Sequence, residues 1–375
     1  MNIVVLENQP SSRRGGQELS LFDVCQELAA KGHSITLLYT STGNLLEQYA
    51  TFCDRLIQVS HYRFDAKRPL RSLGALLSDL RKTYAVKADV VYSNQYHDSF
   101  FGYLLACLKR VPFVCHLRLP PPDKLGWQWN LGMQGAKQLI SVSAHTKQAW
   151  SQVGFSPEII DVVHNGIDET KFLPTETLLL PRQQLNLPKT GFIVSYVGRL
   201  DRHKGTETLI KGFAELRKTN PSVHLAIAGK THNDNAAYLT ELQSLTAHLN
   251  VKDAVTFLGH VDSPAQVYQA SDLVVLPSEW PEPFGRTVIE SLSCGVPVVA
   301  SRVGGIPEIL TDQLSQGLFE SANPQSLAQR LQQHILWREH TPRLGEECRR
   351  HVVDHFALHS ALKKIETTLL KAVSA

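Results

Sequence analysis

Short, nearly unbroken apolar runs alternate along this chain with longer stretches whose apolar residues recur every three or four positions. Such runs read as buried parallel strands, and the stretches between them as the helices that cross from one strand to the next. In the first half the pattern predicts strands at Ile3–Leu6, Ser34–Tyr39, Val90–Tyr92, Phe113–His116, Gln138–Val142 and Ile160–His164. In the second half it predicts Phe192–Val197, His224–Ala228, Val255–Leu258, Leu273–Leu276 and Val298–Ala300. Between the two series, Leu173 to Thr190 shows no strand pattern and is punctuated by Pro174, Pro181 and Pro188. A second strand series after such a break predicts a second domain. The fold class expected is therefore α/β, with domains at residues 1–180 and 181–355 facing a central cleft.

Composition agrees and narrows the function. A length of 375 residues exceeds what one hydrophobic core usually organises. A net charge of +3 gives no support for nucleic-acid binding, which concentrates positive charge on one face. The six cysteines are scattered without paired metal-ligand spacing, as expected of reduced thiols in a cytoplasmic protein. No apolar run approaches the roughly 20 residues of a membrane span, and Met1 to Leu6 reads as a first strand rather than a leader.

The chemistry gathers where strands end. After Leu273–Leu276 comes Pro281-Glu282-Pro283-Phe284-Gly285-Arg286-Thr287-Val288-Ile289-Glu290, a loop running into a helix. Backbone N–H groups at a helix start attract anions, and open α/β sheets bind ligands at the carboxyl ends of their strands. Glu282 and Glu290 could each grip vicinal hydroxyls there; equally, glutamates near a helix start can serve only its dipole. Gly198-Arg199 with Lys204-Gly205 follows the second domain's first strand, where a planar guanidinium and an ammonium can hold a diphosphate from two sides. Gly304-Gly305, after the next strand, adds a turn that a ligand can approach closely. In the first domain Arg13-Arg14-Gly15-Gly16-Gln17-Glu18 precedes a helix. Its adjacent glycines suit contact with phosphate or sugar, or a plain turn, and lack the spacing of a dinucleotide fingerprint.

Several other patterns are weaker. Gly229-Lys230-Thr231 ends like a phosphate-binding loop but lacks the earlier glycine. His351, Asp354, His355 and His359 share helical spacing without a metal-ligand signature. Arg68 to Lys82 combines helical apolar spacing with basic flanks, which fits packing on a sheet or peripheral contact with an anionic membrane. Leu119 to Trp129 is a stiff, proline-rich loop with two tryptophans, suited to burial or to acceptor contact.

Taken in order and spacing, these segments resemble the family 4 glycosyltransferases of the GT-B fold over essentially the whole chain. The residues that carry the likeness are Gly15-Gly16-x-Glu18, Asn165-Gly166-Ile167-Asp168, Gly198-Arg199, Lys204-Gly205, Phe257 to Val261, the Glu282/Glu290 pair, Cys294 to Val299 and Gly304-Gly305-x-Pro307-Glu308. The resemblance implies two Rossmann-like domains, a last helix at about 356–375 crossing back to the first, and sugar transfer from a nucleotide sugar with retention of configuration. It assigns Arg199 and Lys204 to the diphosphate, Glu282 to the donor sugar and Glu290 to the ribose. Phe284, Gly285, Arg286 and Thr287 lie alongside, and Gly259, His260 and Val261 would meet the base. It implies a UDP- or GDP-sugar as substrate, no metal or other cofactor, and a glycan, lipid-linked or small acceptor. The chain departs from the family where a histidine is usual: Arg118 stands there, with His116 before it and His97 after the preceding strand. An arginine cannot act as a base but can orient a donor or bind an acidic acceptor. A sugar-nucleotide-binding protein with little transfer, or an epimerase or hydrolase on the same fold, remains open at this point.

Overall fold

The computed structural model describes residues 1–12, 15–231 and 236–374. They form two compact units, Met1–Gly166 with His359–Ala375, and Ile167–Leu358.

The first unit is built on a seven-stranded parallel sheet of β1 (Asn2–Glu7), β2 (Ser34–Tyr39), β3 (Arg55–Gln58), β4 (Val90–Ser93), β5 (Phe113–Leu117), β6 (Gln138–Ser141) and β7 (Ile160–Val162). The spatial order is β3-β2-β1-β4-β5-β6-β7. β4, β5 and β6 are buried at every residue, in keeping with the apolar residues that dominate β4 and β5. Trp150, Phe101, Phe113 and Leu139 lie in the core that helices build against the sheet.

The second unit repeats the plan with six strands: β8 (Ile193–Val197), β9 (His224–Ala228), β10 (Val255–Gly259), β11 (Leu273–Leu276), β12 (Val298–Ser301) and β13 (Leu318–Phe319). Their order is β10-β9-β8-β11-β12-β13, and Phe213, Tyr196, Leu225 and Val275 lie in the core. Each sheet reverses its winding once, between β1 and β4 and between β8 and β11. A crevice opens at the carboxyl ends of the strands at such a reversal, and ligands bind in it.

Two strands escape the apolar pattern for physical reasons. β3 is a half-exposed edge strand with only Leu56 and Ile57 apolar, and β13 is two residues long. The boundary also moves, from 180/181 to Gly166/Ile167. Ile167 exchanges backbone hydrogen bonds with Phe356 and Leu358 (3.1 and 2.9 Å). Arg349 donates to the Phe172 carbonyl at 3.0 Å. Within the proline-punctuated stretch, Arg182 forms a buried ion pair with Asp272 at 2.6 Å. The stretch is thus anchored to the second unit rather than dividing the two.

The last helix, Leu358–Ser374, starts after Ala357, whose extended backbone ends the preceding helix Leu344–Phe356. It rejoins the first unit through Glu366, which accepts from Lys31 at 2.9 Å and pairs with His33 at 2.8 Å, and through Thr368, which donates to Asp161 at 3.0 Å. No helix among the described residues is long and apolar enough to cross a membrane.

Candidate active site at the sheet switch points

In the second unit, the loops after β8 and β11 meet at the switch point. The first loop is shaped by Asp201, whose carboxylate accepts from the His203 N–H at 2.9 Å, and by Gly205, at φ +68°. A Cβ on Gly205 would lie 1.9 Å from the Pro277 carbonyl oxygen, so only glycine lets the two loops touch. The Glu279 N–H donates to the His203 carbonyl at 2.8 Å, closing the same contact.

This packing puts Lys204 against Glu282, with 2.5 Å from Nζ to Oε1. The same oxygen accepts from the Ser278 hydroxyl, also at 2.5 Å. Both charged side chains are largely withdrawn from solvent, 17% and 8% exposed, so each is held in place rather than solvated. Lys204 Nζ also lies 5.7 Å from the centre of the Trp280 ring. Arg199 differs: its side chain is exposed, and only its carbonyl is fixed, by the Tyr196 hydroxyl at 2.6 Å.

Gly304 (φ +57°) and Gly305 serve Glu282 directly. A Cβ on Gly304 would come within 2.0 Å of the Glu282 carbonyl oxygen, and the Gly305 N–H donates to that oxygen at 2.8 Å. The turn after β12 therefore braces the loop that carries the carboxylate.

Glu290 lies in the helix Arg286–Ser293, which Gly285 opens at φ +108°. Its two oxygens accept from Arg286 Nε at 2.7 Å and from the Tyr268 hydroxyl at 2.8 Å. Burial, followed by the adjacent Glu290 charge, pushes the Tyr268 phenol well above its ordinary range, so it stays a donor. A carboxylate offers about four acceptor positions, so two protein donors leave room for ligand hydroxyls. Phe284 is buried and packs edge-on against Phe356. The Thr287 hydroxyl reaches the Val197 carbonyl at 3.4 Å, tying the helix start to the end of β8.

A row of glycines completes the strand ends. The Gly198 N–H donates to the Ala228 carbonyl at 3.0 Å and the Gly229 N–H to the Gly259 carbonyl at 2.7 Å. A Cβ on Gly229 would stand 1.8 Å from the Gly198 carbonyl oxygen. Gly229 thus belongs to the site, although its sequence context reads only as an incomplete phosphate loop. Tyr268 and Ser278, which orient the two glutamates, had no signal in the sequence. Beyond Gly259 (φ +68°), the loop carries His260, half-exposed and 3.3 Å from Asp262, and the partly buried Val261.

In the first unit, Gly15 and Gly16 open the helix Gly16–Ala30 after β1, with Glu18 buried in its first turn. Arg13 and Arg14 lie outside the described residues. Arg118 follows β5 and is buried; its Nε donates to Asn94 Oδ1 at 3.0 Å and its Nη1 to Asn165 Oδ1 at 2.6 Å. Asn94 Nδ2 in turn donates to Glu7 Oε2 at 2.9 Å. His97 is partly exposed after β4, stacked on Tyr96 at 3.9 Å.

His116 lies within β5, as the predicted limits have it. It is 1% exposed, with Nδ1 2.6 Å from the Tyr92 hydroxyl. Burial, aided by Arg118, holds it neutral with its pKa well below the ordinary histidine range. The structure therefore places His116 in the core of the first unit, inside β5.

The sequence matches the family described as Glycosyl transferases group 1 over residues 180–351, and that described as Glycosyltransferase Family 4 over residues 14–171. A D-inositol 3-phosphate glycosyltransferase of Mycolicibacterium gilvum is 31% identical over 229 residues, covering 60% of this chain and 50% of the relative. The chain thus spans about half the length of such relatives. An uncharacterized glycosyltransferase of Methanocaldococcus jannaschii is 27% identical over 84% of this chain and 83% of its own. Anabaena HepE, solved in complex with UDP and also with UDP-glucose, has the same fold: the UDP complex superposes with a TM-score of 0.86 at 24% identity, covering 99% of this chain and 100% of that one.

Proposed function

The chain belongs to the family 4, group 1 glycosyltransferases, and we propose that it transfers a sugar from a nucleotide sugar to a hydroxyl acceptor with retention of anomeric configuration. The observation that carries this reading is the contact of Lys204 with Glu282 at the β8/β11 switch point. A cation and a carboxylate held side by side suit a ligand with a phosphate next to a polyol, and a nucleotide sugar has that order.

In this reading the donor diphosphate takes Lys204 and Arg199, and the sugar hydroxyls take Glu282. Glu290 accepts from the ribose. The bond from the anomeric carbon to the diphosphate oxygen breaks, and the acceptor oxygen bonds to that carbon on the same face. The acceptor's proton passes to the departing phosphate. Lys204 and Arg199 stabilise the negative charge that develops there, which for one such donor contributes about a hundred- to a thousandfold in rate. No metal is invoked, since two cations already meet the leaving group. A uridine donor is the first to test, by likeness to a protein solved with UDP and UDP-glucose. The acceptor in this reading is a glycan or lipid-linked sugar, and the compartment is the cytoplasm, in keeping with the six free cysteines.

The experiment is a thermal-shift titration with UDP, GDP and UDP-glucose, followed by a transfer assay. A ligand at 100 times its dissociation constant adds about 2.7 kcal/mol of stability. A nucleotide-dependent shift that Lys204→Ala and Glu290→Ala remove supports the reading. Full transfer activity in both variants would overturn the site. Binding without transfer to any acceptor would leave a sugar-nucleotide-binding protein, and release of free sugar without an acceptor would indicate a hydrolase.

A further inference from the structure

The helix Pro69–Tyr84 has three faces, and one of them has no partner in the described chain. Ser72, Leu76, Asp79 and Thr83 are buried against the first unit. Leu70, Leu73, Leu77 and Tyr84 are 86%, 45%, 58% and 66% exposed. At about 100° per residue these four fall within an arc of about 60°, well away from the buried set. A stripe of large apolar side chains this exposed is not needed to hold the fold.

The third face is basic. Arg81 lies next to the apolar stripe, and Arg71 and Lys82 follow on the side away from Leu80. Arg68, at the helix start, and Arg71 and Arg81 make no ion pair among the described residues; Lys82 reaches the buried Asp79 at 3.2 Å. From Arg63 to Lys87 the sequence has seven basic side chains and two acidic ones, Asp65 and the buried Asp79, in a chain whose whole net charge is +3. The positive charge is therefore local to this helix and its flanks.

We infer that this face docks the protein on the surface of an anionic phospholipid bilayer. Leu70, Leu73, Leu77 and Tyr84 would enter the interface, and Arg68, Arg71 and Arg81 would meet the headgroups. The charge decides the occupant. A second copy of this chain would bring a like-charged helix against this one, whereas an anionic bilayer supplies both the opposite charge and the apolar depth. A neighbouring element extends the surface: Gln128, in the helix Trp127–Gln134, exchanges hydrogen bonds of 2.7 Å with the Phe64 backbone just before the basic helix. Trp127 and Leu131, one turn apart on that neighbour, are 60% and 44% exposed. This inference is independent of the transferase reading, since no donor-site residue takes part.

The test is co-sedimentation of the full chain with vesicles of phosphatidylglycerol and phosphatidylcholine, against vesicles of phosphatidylcholine alone. Each basic side chain near an anionic surface contributes about fivefold to binding. Arg71→Glu/Arg81→Glu should therefore weaken binding by well over tenfold, and added salt should release the wild type. Leu70→Ser/Leu77→Ser should also weaken it; both side chains are exposed, so an unchanged melting temperature would show that the fold is kept. Equal binding to neutral vesicles, no binding at low salt, or a Leu70- and Leu77-dependent dimer that ignores vesicles would each overturn the proposal.

Discussion

Replacing Glu7 by glutamine should make this protein more stable as pH rises, relative to the native chain. Glu7 ends β1 at the first unit's switch point and is fully buried. Its Oε2 accepts from Asn94, and Oε1 has no hydrogen-bond partner among the described residues. Burial first, then the charges of Glu18 and Asp98, raise its carboxyl from 4.5 to about 8, against the opposing pull of the Asn94 hydrogen bond. The sign follows from proton counting. Between those two values the folded chain keeps a proton that the unfolded chain has lost, so stability falls with rising pH across that window and levels off above it. The contribution is intact below the unfolded value. A separation of about 3.5 units at 1.36 kcal/mol each sets a ceiling of about 5 kcal/mol. Glutamine preserves the acceptor for Asn94 and puts an N–H where the carboxyl proton sits, but does not titrate. Urea unfolding of both proteins across about pH 5 to 8 should give stability differences that grow steadily in favour of Glu7→Gln. Parallel stability curves would refute the reasoning, since they would mean that Glu7 titrates alike in both states.

Other consequences are separable from this one. Lys204→Met should lower kcat by about a hundredfold or more while Glu282 keeps its Ser278 hydrogen bond; a change confined to KM would show uniform donor binding instead. Gly229→Ala, which forces a Cβ to 1.8 Å from the Gly198 carbonyl, should abolish the nucleotide-dependent thermal shift; a retained shift would remove the glycine row from the site. Arg182→Ala removes the buried partner of the Asp272 carboxylate, leaving it Arg338 at 3.1 Å and the Ile193 N–H at 2.7 Å, and should cost about 2 kcal/mol in urea unfolding; a loss below about 1 kcal/mol would mean that the proline-punctuated stretch is not anchored as described. Native alkylation should label Cys107 first, because it alone is exposed, while burial raises Cys53, Cys115, Cys294 and Cys348 to about 12. Early labelling of Cys294 would contradict that order.

Most of the strands that the apolar pattern located are buried along most of their length, so few polar residues interrupt the run; Val255–Gly259, partly buried throughout, is an exception. His224–Ala228 and Leu273–Leu276 have the predicted limits for that reason. β3 was invisible because it has only two apolar residues, Leu56 and Ile57, between the exposed Arg55 and Gln58. The two units divide ahead of the proline-punctuated stretch for a related cause. Three prolines mark where chain direction changes, but what assigns a segment to a unit is burial, here of Arg182 against Asp272, residues 90 apart in sequence. Separation of that order leaves no local trace.

The site shows the same division. Glu282, Glu290, Lys204 and Arg199 could be picked out because charged residues at the carboxyl ends of apolar runs are conspicuous. The residues that make two of them usable were not. Ser278 shares an oxygen of Glu282 with Lys204, and Tyr268 holds one oxygen of Glu290, yet a serine and a tyrosine near strands are unremarkable as sequence. The glycines fall between these cases. Gly304 reads as a turn, but its function is steric: any side chain would occupy the place of the Glu282 backbone. Replacing it should therefore displace the carboxylate without removing it, lowering sugar affinity while the phosphate contacts proposed for Lys204 and Arg199 persist. In a comparison of UDP with UDP-glucose, Gly304→Ala should keep affinity for the nucleotide and lose the increment due to the sugar. Equal loss for both ligands would mean that the turn braces the whole loop, with Lys204 depending on Glu282 as much as Glu282 depends on Gly304.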